Sequence, residues 1–186
     1  MIAHRIAGLA LACLLLAACN NARDTASAPP APREVSVDAV GHYCGMNLIE
    51  HPGPKGQIYV HGRDAPVWFT DIKQVFAYTL LPEEPKGISA IYVHDMSKAK
   101  DWSQPEADSW IDARQAFYVI ESKFIGGMGA EDALPFGDKA KADEFVKEHG
   151  GRVVGFEDMP ENYILHHDEA AQAVPQDQHD STGAHQ

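Results

Sequence analysis

The feature that most constrains the fold of this chain is an internal repeat. Residues 68–96 and residues 135–159 both begin with an aromatic-x-Asp motif, continue with a helical pattern and end in a β-rich run closed by Asp-Met. Asp71 and Asp138 stand where a helix N-cap belongs, and a further strand candidate precedes each copy. Units this small are not stable alone. The repeat therefore predicts an α+β fold in which two similar small ββαβ units pack into one domain.

The first residues are typical of a targeting signal rather than of a fold. A short basic start is followed by an apolar stretch that is too short for a permanent membrane span, and the stretch ends in Leu-Ala-Ala-Cys. This pattern predicts a bacterial lipoprotein signal peptide, with Cys19 as the lipidated first residue of the mature chain. The alternative is an ordinary secretory signal in which Cys19 has no special role. Both readings place the mature protein outside the cytoplasm.

Composition divides the rest of the chain. An Ala, Pro and Ser-rich stretch after Cys19 predicts a flexible tether, and the polar C-terminal end, which lacks aromatic residues, predicts a disordered tail. The net charge of -12 argues against nucleic acid as a partner and against a polybasic contact with a membrane surface. The predicted segments are the signal peptide 1–18, the tether 19–34, the first unit 35–103, the second unit 104–169 and the tail 170–186.

Cys44 is the only thiol that remains once the signal is removed and Cys19 is lipidated. An odd cysteine in an oxidising compartment indicates a reactive thiol or an intermolecular partner, although free cysteine is also commonly a small buried side chain. The chain has no G-x-S-x-G, H-E-x-x-H, P-loop or dinucleotide-binding motif. The common catalytic templates are therefore absent.

The surroundings of Cys44 favour a metal site. Met46 follows it by two residues, and on an extended backbone the two sulfur atoms point to the same side. Met128 lies in a Gly-Gly-Met-Gly loop, and we expect this loop to take a place in the second unit comparable to that of the Cys-Gly-Met loop in the first. His51 precedes a Pro-Gly-Pro turn. Thiolate and thioether ligands suit Cu(I), so the sequence predicts a Cu(I) site formed by Cys44, Met46, Met128 and His51.

Three stretches together resemble the NosL family, the accessory lipoproteins of nitrous oxide reductase assembly. They are HYCGMNLIEHPGPKGQI, WFTD and KFIGGMGAEDALPF, and they follow the Leu-Ala-Ala-Cys signal. The resemblance covers residues 42–159, and it maps the family's cysteine and Gly-Met loop onto Cys44, Met46 and Met128. It implies a Cu(I) chaperone that delivers copper toward the reductase, with the membrane transporter complex of the assembly machinery as its docking partner.

The sequence therefore predicts a non-enzymatic Cu(I) chaperone, anchored in a membrane by lipid and facing the periplasm. Asn20 after the lipidated cysteine is not the Asp that favours inner-membrane retention, so the outer membrane is preferred. Two other functions stay open at this point. One is a Cys44-dependent lyase or thiol-transfer enzyme, and the other is an interaction lipoprotein without metal in which Cys44 is buried.

Overall fold

The computed structural model describes residues 28–165. The predicted signal peptide, the lipidation site Cys19 and the predicted tail 170–186 lie outside the described residues. Within the described range, no helix is long and apolar enough to cross a membrane.

The chain forms two ββαβ units in sequence order. The first contains β1 (Gly56–Val60), β2 (Val67–Phe69), α1 (Ile72–Leu80) and β3 (Ile88–His94). A short strand, β4 (Trp110–Asp112), connects it to the second unit. That unit contains β5 (Phe117–Ile120), β6 (Leu134–Phe136), α2 (Lys139–His149) and β7 (Arg152–Gly155). A short helix, α3 (Glu161–Leu165), follows.

Both units have the same strand arrangement. The sheets have the orders β2-β1-β3-β4 and β6-β5-β7, and all their strand pairs are antiparallel. In each unit the first strand lies between the other two, as expected for two copies of one supersecondary motif. The α+β prediction of two ββαβ units is confirmed. Strand β4 lies in the second half of the sequence but extends the first sheet, which joins the two halves.

The units share a hydrophobic core through β5, because both faces of this strand are buried. Tyr118 and Ile120 face the core that α1 and the first sheet form, whereas Val119 faces a smaller core beneath α2. The Phe76 ring of α1 packs edge-on against Tyr118, with 4.9 Å between ring centroids. This apolar contact packs the two units into one domain.

The two repeated helices are capped differently. Asp138 accepts a hydrogen bond from Ala140 N at 2.8 Å and caps α2 as predicted. Asp71 makes no such bond at α1. Instead Asp132, 60 residues from Ile72 in sequence, accepts from Ile72 N at 2.9 Å and Lys73 N at 2.8 Å. Asp71 therefore occupies the predicted N-cap position, but its side chain does not cap the helix, because a carboxylate from the second unit satisfies those amides.

The last residues of the predicted flexible tether are fixed on the first sheet. The carbonyls of Pro30 and Ala31 accept hydrogen bonds from the hydroxyls of Tyr92 and Tyr59, at 2.8 and 2.9 Å. The Arg33 backbone exchanges two 2.9 Å bonds with the side-chain amide of Gln57. Residues 30–33 are therefore part of the folded domain rather than of a flexible tether, because their backbone groups find partners on the sheet.

Candidate metal centre

The Cys-Gly-Met motif lies in a tight loop just before the first unit. Val40 and Asn47 form an antiparallel bridge at the ends of the loop, and Gly41 N donates to Met46 O at 2.9 Å. Gly45 has a φ of 66°, in the left-handed region that favours glycine. The expectation of an extended Cys-Gly-Met backbone was therefore wrong, because the chain must turn here to close the loop.

The thiol of this loop is anchored but remains partly exposed. Cys44 is a half-buried free thiol, and its Sγ lies 3.5 Å from Oγ1 of the buried Thr70, two residues before α1. A Cβ at Gly41 would lie 2.5 Å from the Cys44 Sγ, so glycine is required for this approach. Met46 is 37% exposed. The motif therefore presents one sheltered thiol and one open thioether.

The outer side of the same loop is held by an acidic residue that sequence reasoning did not identify. Glu84 Oε1 accepts a hydrogen bond from the Tyr43 hydroxyl at 2.9 Å and lies 3.0 Å from His42 Nε2. Glu84 belongs to the proline-containing connection between α1 and β3. The only sequence signal for it is that this connection is longer in the first copy of the repeat.

The Met128 loop joins β5 to β6 and docks on the first unit. The Cys44 loop instead precedes β1, so the expectation of comparable places in the two units was wrong. The docking contact is a 3.3 Å hydrogen bond between His51 Nδ1 and the Gly127 carbonyl. A Cβ on Gly127 would collide with the Pro52 carbonyl oxygen, so this glycine permits the close approach. Met128 itself is half-buried.

The contact of His51 fixes which ring nitrogen can bind a metal. A carbonyl oxygen only accepts, so the bond to Gly127 requires the proton on Nδ1. In the neutral ring the lone pair is then on Nε2. Metal-binding histidines are usually oriented in this way, by a hydrogen bond from the ring nitrogen that does not bind the metal.

Three consecutive residues at the start of α1 connect the two loops. Thr70 contacts the Cys44 thiol, and Ile72 N donates to Asp132, which lies in the β5–β6 loop together with Met128. Between them, Asp71 Oδ1 lies beside Gly126 of the Met128 loop, where a Cβ added to that glycine would approach it to 3.1 Å. No hydrogen bond of good geometry ends on its buried Oδ1. The segment 70–72 therefore lies between the cysteine loop and the methionine loop.

A buried group of charges supports this junction. Burial, and then the neighbouring Asp71 charge, raise the pKa of Asp132 to about 7. Burial also raises the pKa of Asp71, against the opposing effect of Lys55. Lys55 is 5% exposed, and its Nζ donates to the carbonyls of Pro52 and Gly53 at 3.0 and 2.7 Å. Burial lowers the pKa of Lys55 to about 8.

The predicted ligands thus lie on loops that the fold connects. Met46 and Cys44 share one loop, and His51 is hydrogen-bonded to the loop that carries Met128. In residues 28–165, no group of three or more His, Cys, Asp or Glu side chains is arranged to hold a metal ion. That set of residue types leaves out the methionines. The donors offered here are thiol, thioether and imidazole, which suit a soft ion.

Comparisons with known proteins agree with this donor chemistry. A family model described as NosL matches residues 32–164. The chain is 40% identical over 158 residues to the copper-binding lipoprotein NosL of Achromobacter cycloclastes, covering 84% of this chain and 80% of the relative. It is 34% identical over 144 residues to the copper-binding lipoprotein NosL of Stutzerimonas stutzeri, covering 77% and 73%. The crystal structure of the copper chaperone NosL from Shewanella denitrificans matches with a TM-score of 0.67 and 32% identity, covering 72% of this chain and 98% of that one.

Proposed function

The chain belongs to the NosL family, and on that basis we propose that it carries copper as Cu(I) and delivers it for the maturation of nitrous oxide reductase. Its relatives are named as copper-binding lipoproteins and as a copper chaperone. The chain is accordingly a copper chaperone and a membrane-anchored lipoprotein, not an enzyme. This proposal replaces the two enzyme alternatives, a Cys44-dependent lyase and a thiol-transfer enzyme.

The observation that carries the proposal is the junction at the start of α1. Thr70 contacts the thiol of Cys44, and the amides of Ile72 and Lys73 donate to Asp132, which lies in the same β5–β6 loop as Met128. One rigid helix start thus fixes two loops that lie more than eighty positions apart in sequence. Such a junction is expected where side chains from both loops bind a common ion.

Cu(I) is the ion that the donor set favours. Cys44 as thiolate, Met46 and Met128 as thioethers and Nε2 of His51 form a soft set, whereas Zn²⁺ gains little from methionine. Binding replaces the thiol proton of Cys44 by copper and releases that proton, and no electron is transferred. The affinity should therefore fall with acid.

Partial exposure of the donors supports delivery rather than storage. Met46 is 37% exposed and the thiol is half-buried, so ligands of an acceptor can enter while copper is still held. Release by ligand exchange needs such an open site. We propose that the protein faces the periplasm from the outer membrane. There it docks on the nitrous oxide reductase assembly machinery, including its membrane transporter complex.

An anaerobic Cu(I) titration against a competing chelator tests the proposal. Cys44→Ser should abolish tight binding, and Met128→Leu, which nearly conserves volume, should weaken it on the order of tenfold. Met96→Leu is the matched control, because Met96 is a buried methionine of the smaller core. X-ray absorption should count one sulfur fewer in Met128→Leu. An unchanged affinity and sulfur count in that variant would exclude a site shared by the two loops.

A further inference from the structure

The two copies of the repeat differ in the connection that follows the helix. Residues 150–151, two glycines, are all that separates α2 from β7. In the first copy, residues 81–87 join α1 to β3, and they include two prolines and two glutamates. Closing a helix–strand turn does not require this length, as the second copy demonstrates. The additional residues therefore need another explanation.

Glu84 in this connection reaches the residues just before Cys44. Its Oε1 accepts from the Tyr43 hydroxyl at 2.9 Å and meets His42 Nε2 at 3.0 Å. The Glu84 side chain is only 12% exposed, so these contacts are partly sheltered from water. The connection itself is braced by Lys86, whose Nζ donates to the carbonyls of Thr79 and Leu81 at 3.1 and 2.5 Å.

Backbone bonds close the loop, so the contacts of Glu84 act on the side chains of its outer side. The His42 backbone N–H donates to Trp68 O at 2.8 Å, and its ring packs edge-on against Phe69 and Tyr78. Tyr43 is 41% exposed, and its hydroxyl contact to Glu84 is its one side-chain hydrogen bond in the described part of the chain. Gly41 and Gly45 allow the backbone of the loop more conformations than other residues would.

We propose that Glu84 is a positioning residue for copper binding. Its carboxylate fixes the His42 and Tyr43 side chains of the loop of residues 41–46, so that the Cys44 thiol already lies against Thr70 before copper arrives. Ordering a loop during binding lowers affinity, and a preorganised loop avoids that loss. This inference rests on the proposed copper-carrying function. It also explains why only the copy associated with the cysteine loop has the long connection.

The test compares three variants of the full mature chain. Glu84→Ala removes both contacts, Glu84→Gln keeps an oxygen acceptor at the same place, and Glu83→Ala removes the neighbouring exposed carboxylate as a matched control. Cu(I) affinity should fall on the order of tenfold in Glu84→Ala, since the loop must then be ordered during binding. It should stay within about threefold in Glu84→Gln, and Glu83→Ala should match the wild type.

A second readout needs no copper. In the metal-free protein, the alkylation rate of Cys44 by iodoacetamide should rise severalfold in Glu84→Ala and return toward the wild-type rate in Glu84→Gln. Equal alkylation rates in Glu84→Ala and Glu83→Ala would overturn the proposal, as would a Gln variant that behaves like Ala. If the wild type bound no copper, the proposed function would fail. The alkylation rate of Cys44 would still show whether Glu84 positions the loop.

Tyr43→Phe guards against a Glu84→Ala variant that does not fold. It removes one hydrogen bond to the same carboxylate and leaves the ring in place. It should raise the alkylation rate less than Glu84→Ala does. In a double-mutant cycle its effect should disappear when Glu84 is already alanine. Additive effects in the cycle would show that the two residues act independently, which would overturn the proposal.

Discussion

Replacing Asp132 by asparagine should change how the stability of this protein depends on pH. Asp132 is 1% exposed, and its two oxygens cap α1 by accepting from Ile72 N and Lys73 N. Asparagine has the same shape but offers one oxygen acceptor and one NH₂ group that cannot accept. At pH 5 we expect Asp132→Asn to be less stable by about 1–2 kcal/mol, since one helix amide loses its partner.

The sign of the pH effect follows from the raised pKa. Asp132 has a pKa of about 7 in the folded protein, against an ordinary value of 3.8. Between these pH values the folded state keeps a proton that the unfolded state has lost, so the free energy of unfolding falls as pH rises. The slope is about 1.4 kcal/mol per pH unit, on the order of 4 kcal/mol in all. Asp71, whose pKa is also raised, adds to the same trend.

Urea unfolding of the wild type and Asp132→Asn at pH 5, 6, 7 and 8 measures this directly. The wild type should lose stability over this range much faster than the variant, so the difference at pH 5 should vanish or reverse by pH 8. Asp138→Asn is the control, because it changes a solvent-exposed cap of α2 and should leave the pH dependence as in the wild type. Parallel stability curves for the wild type and Asp132→Asn would refute the reasoning.

Three further predictions concern the other parts of the molecule. Gly127→Ala should push the Met128 loop away from Pro52 and weaken Cu(I) binding on the order of tenfold in a chelator titration, whereas Gly155→Ala, whose added Cβ would meet only the end of the Asp158 side chain at 3.3 Å, should leave affinity unchanged. Cys19→Ser should give a mature chain without lipid at its N-terminus, and mass spectrometry of that peptide decides this. Halves of the chain cut within residues 98–105 should show no cooperative thermal transition, and two stable halves would contradict a shared core.

The sequence was sufficient for the fold because the repeat is a local signal. Each copy shows its helix face and its strands within about thirty residues, and Asp138 marks the start of α2 by its spacing alone. The same spacing marks the start of α1 at Asp71, but it does not predict which side chain caps that helix. The cap of α1 comes from Asp132, and no local pattern records which distant carboxylate reaches a helix end. Long-range contacts of this kind depend on how the two units pack.

The ligand set of the candidate site stays a prediction from residue type, and the geometry around it was not predictable. A cysteine and a methionine in one motif, with a second methionine among glycines, are soft donors by residue type. The turn at Gly45 and the contact of Cys44 with Thr70 depend on loop closure and packing. Glu84 carried even less signal, since an exposed-looking glutamate in a long connection is an ordinary surface residue in sequence.

The different capping of the two copies explains why the candidate site forms at one helix start and not at the other. In the second copy, Asp138 caps its own helix, and the amide of Gly137 before it is bound by Asp95 of the first unit. Asp138 and the Gly137 amide at that helix start are therefore both occupied by structural hydrogen bonds. In the first copy, Asp132 supplies the cap from the second unit, and Asp71 lies instead beside Gly126 of the Met128 loop. Gly137 has no side chain, whereas its counterpart Thr70 contacts the cysteine thiol. The aromatic-x-Asp motif therefore has only a structural role in the second copy. In the first copy it contacts both loops that carry the proposed ligands, the Cys44 loop and the Met128 loop.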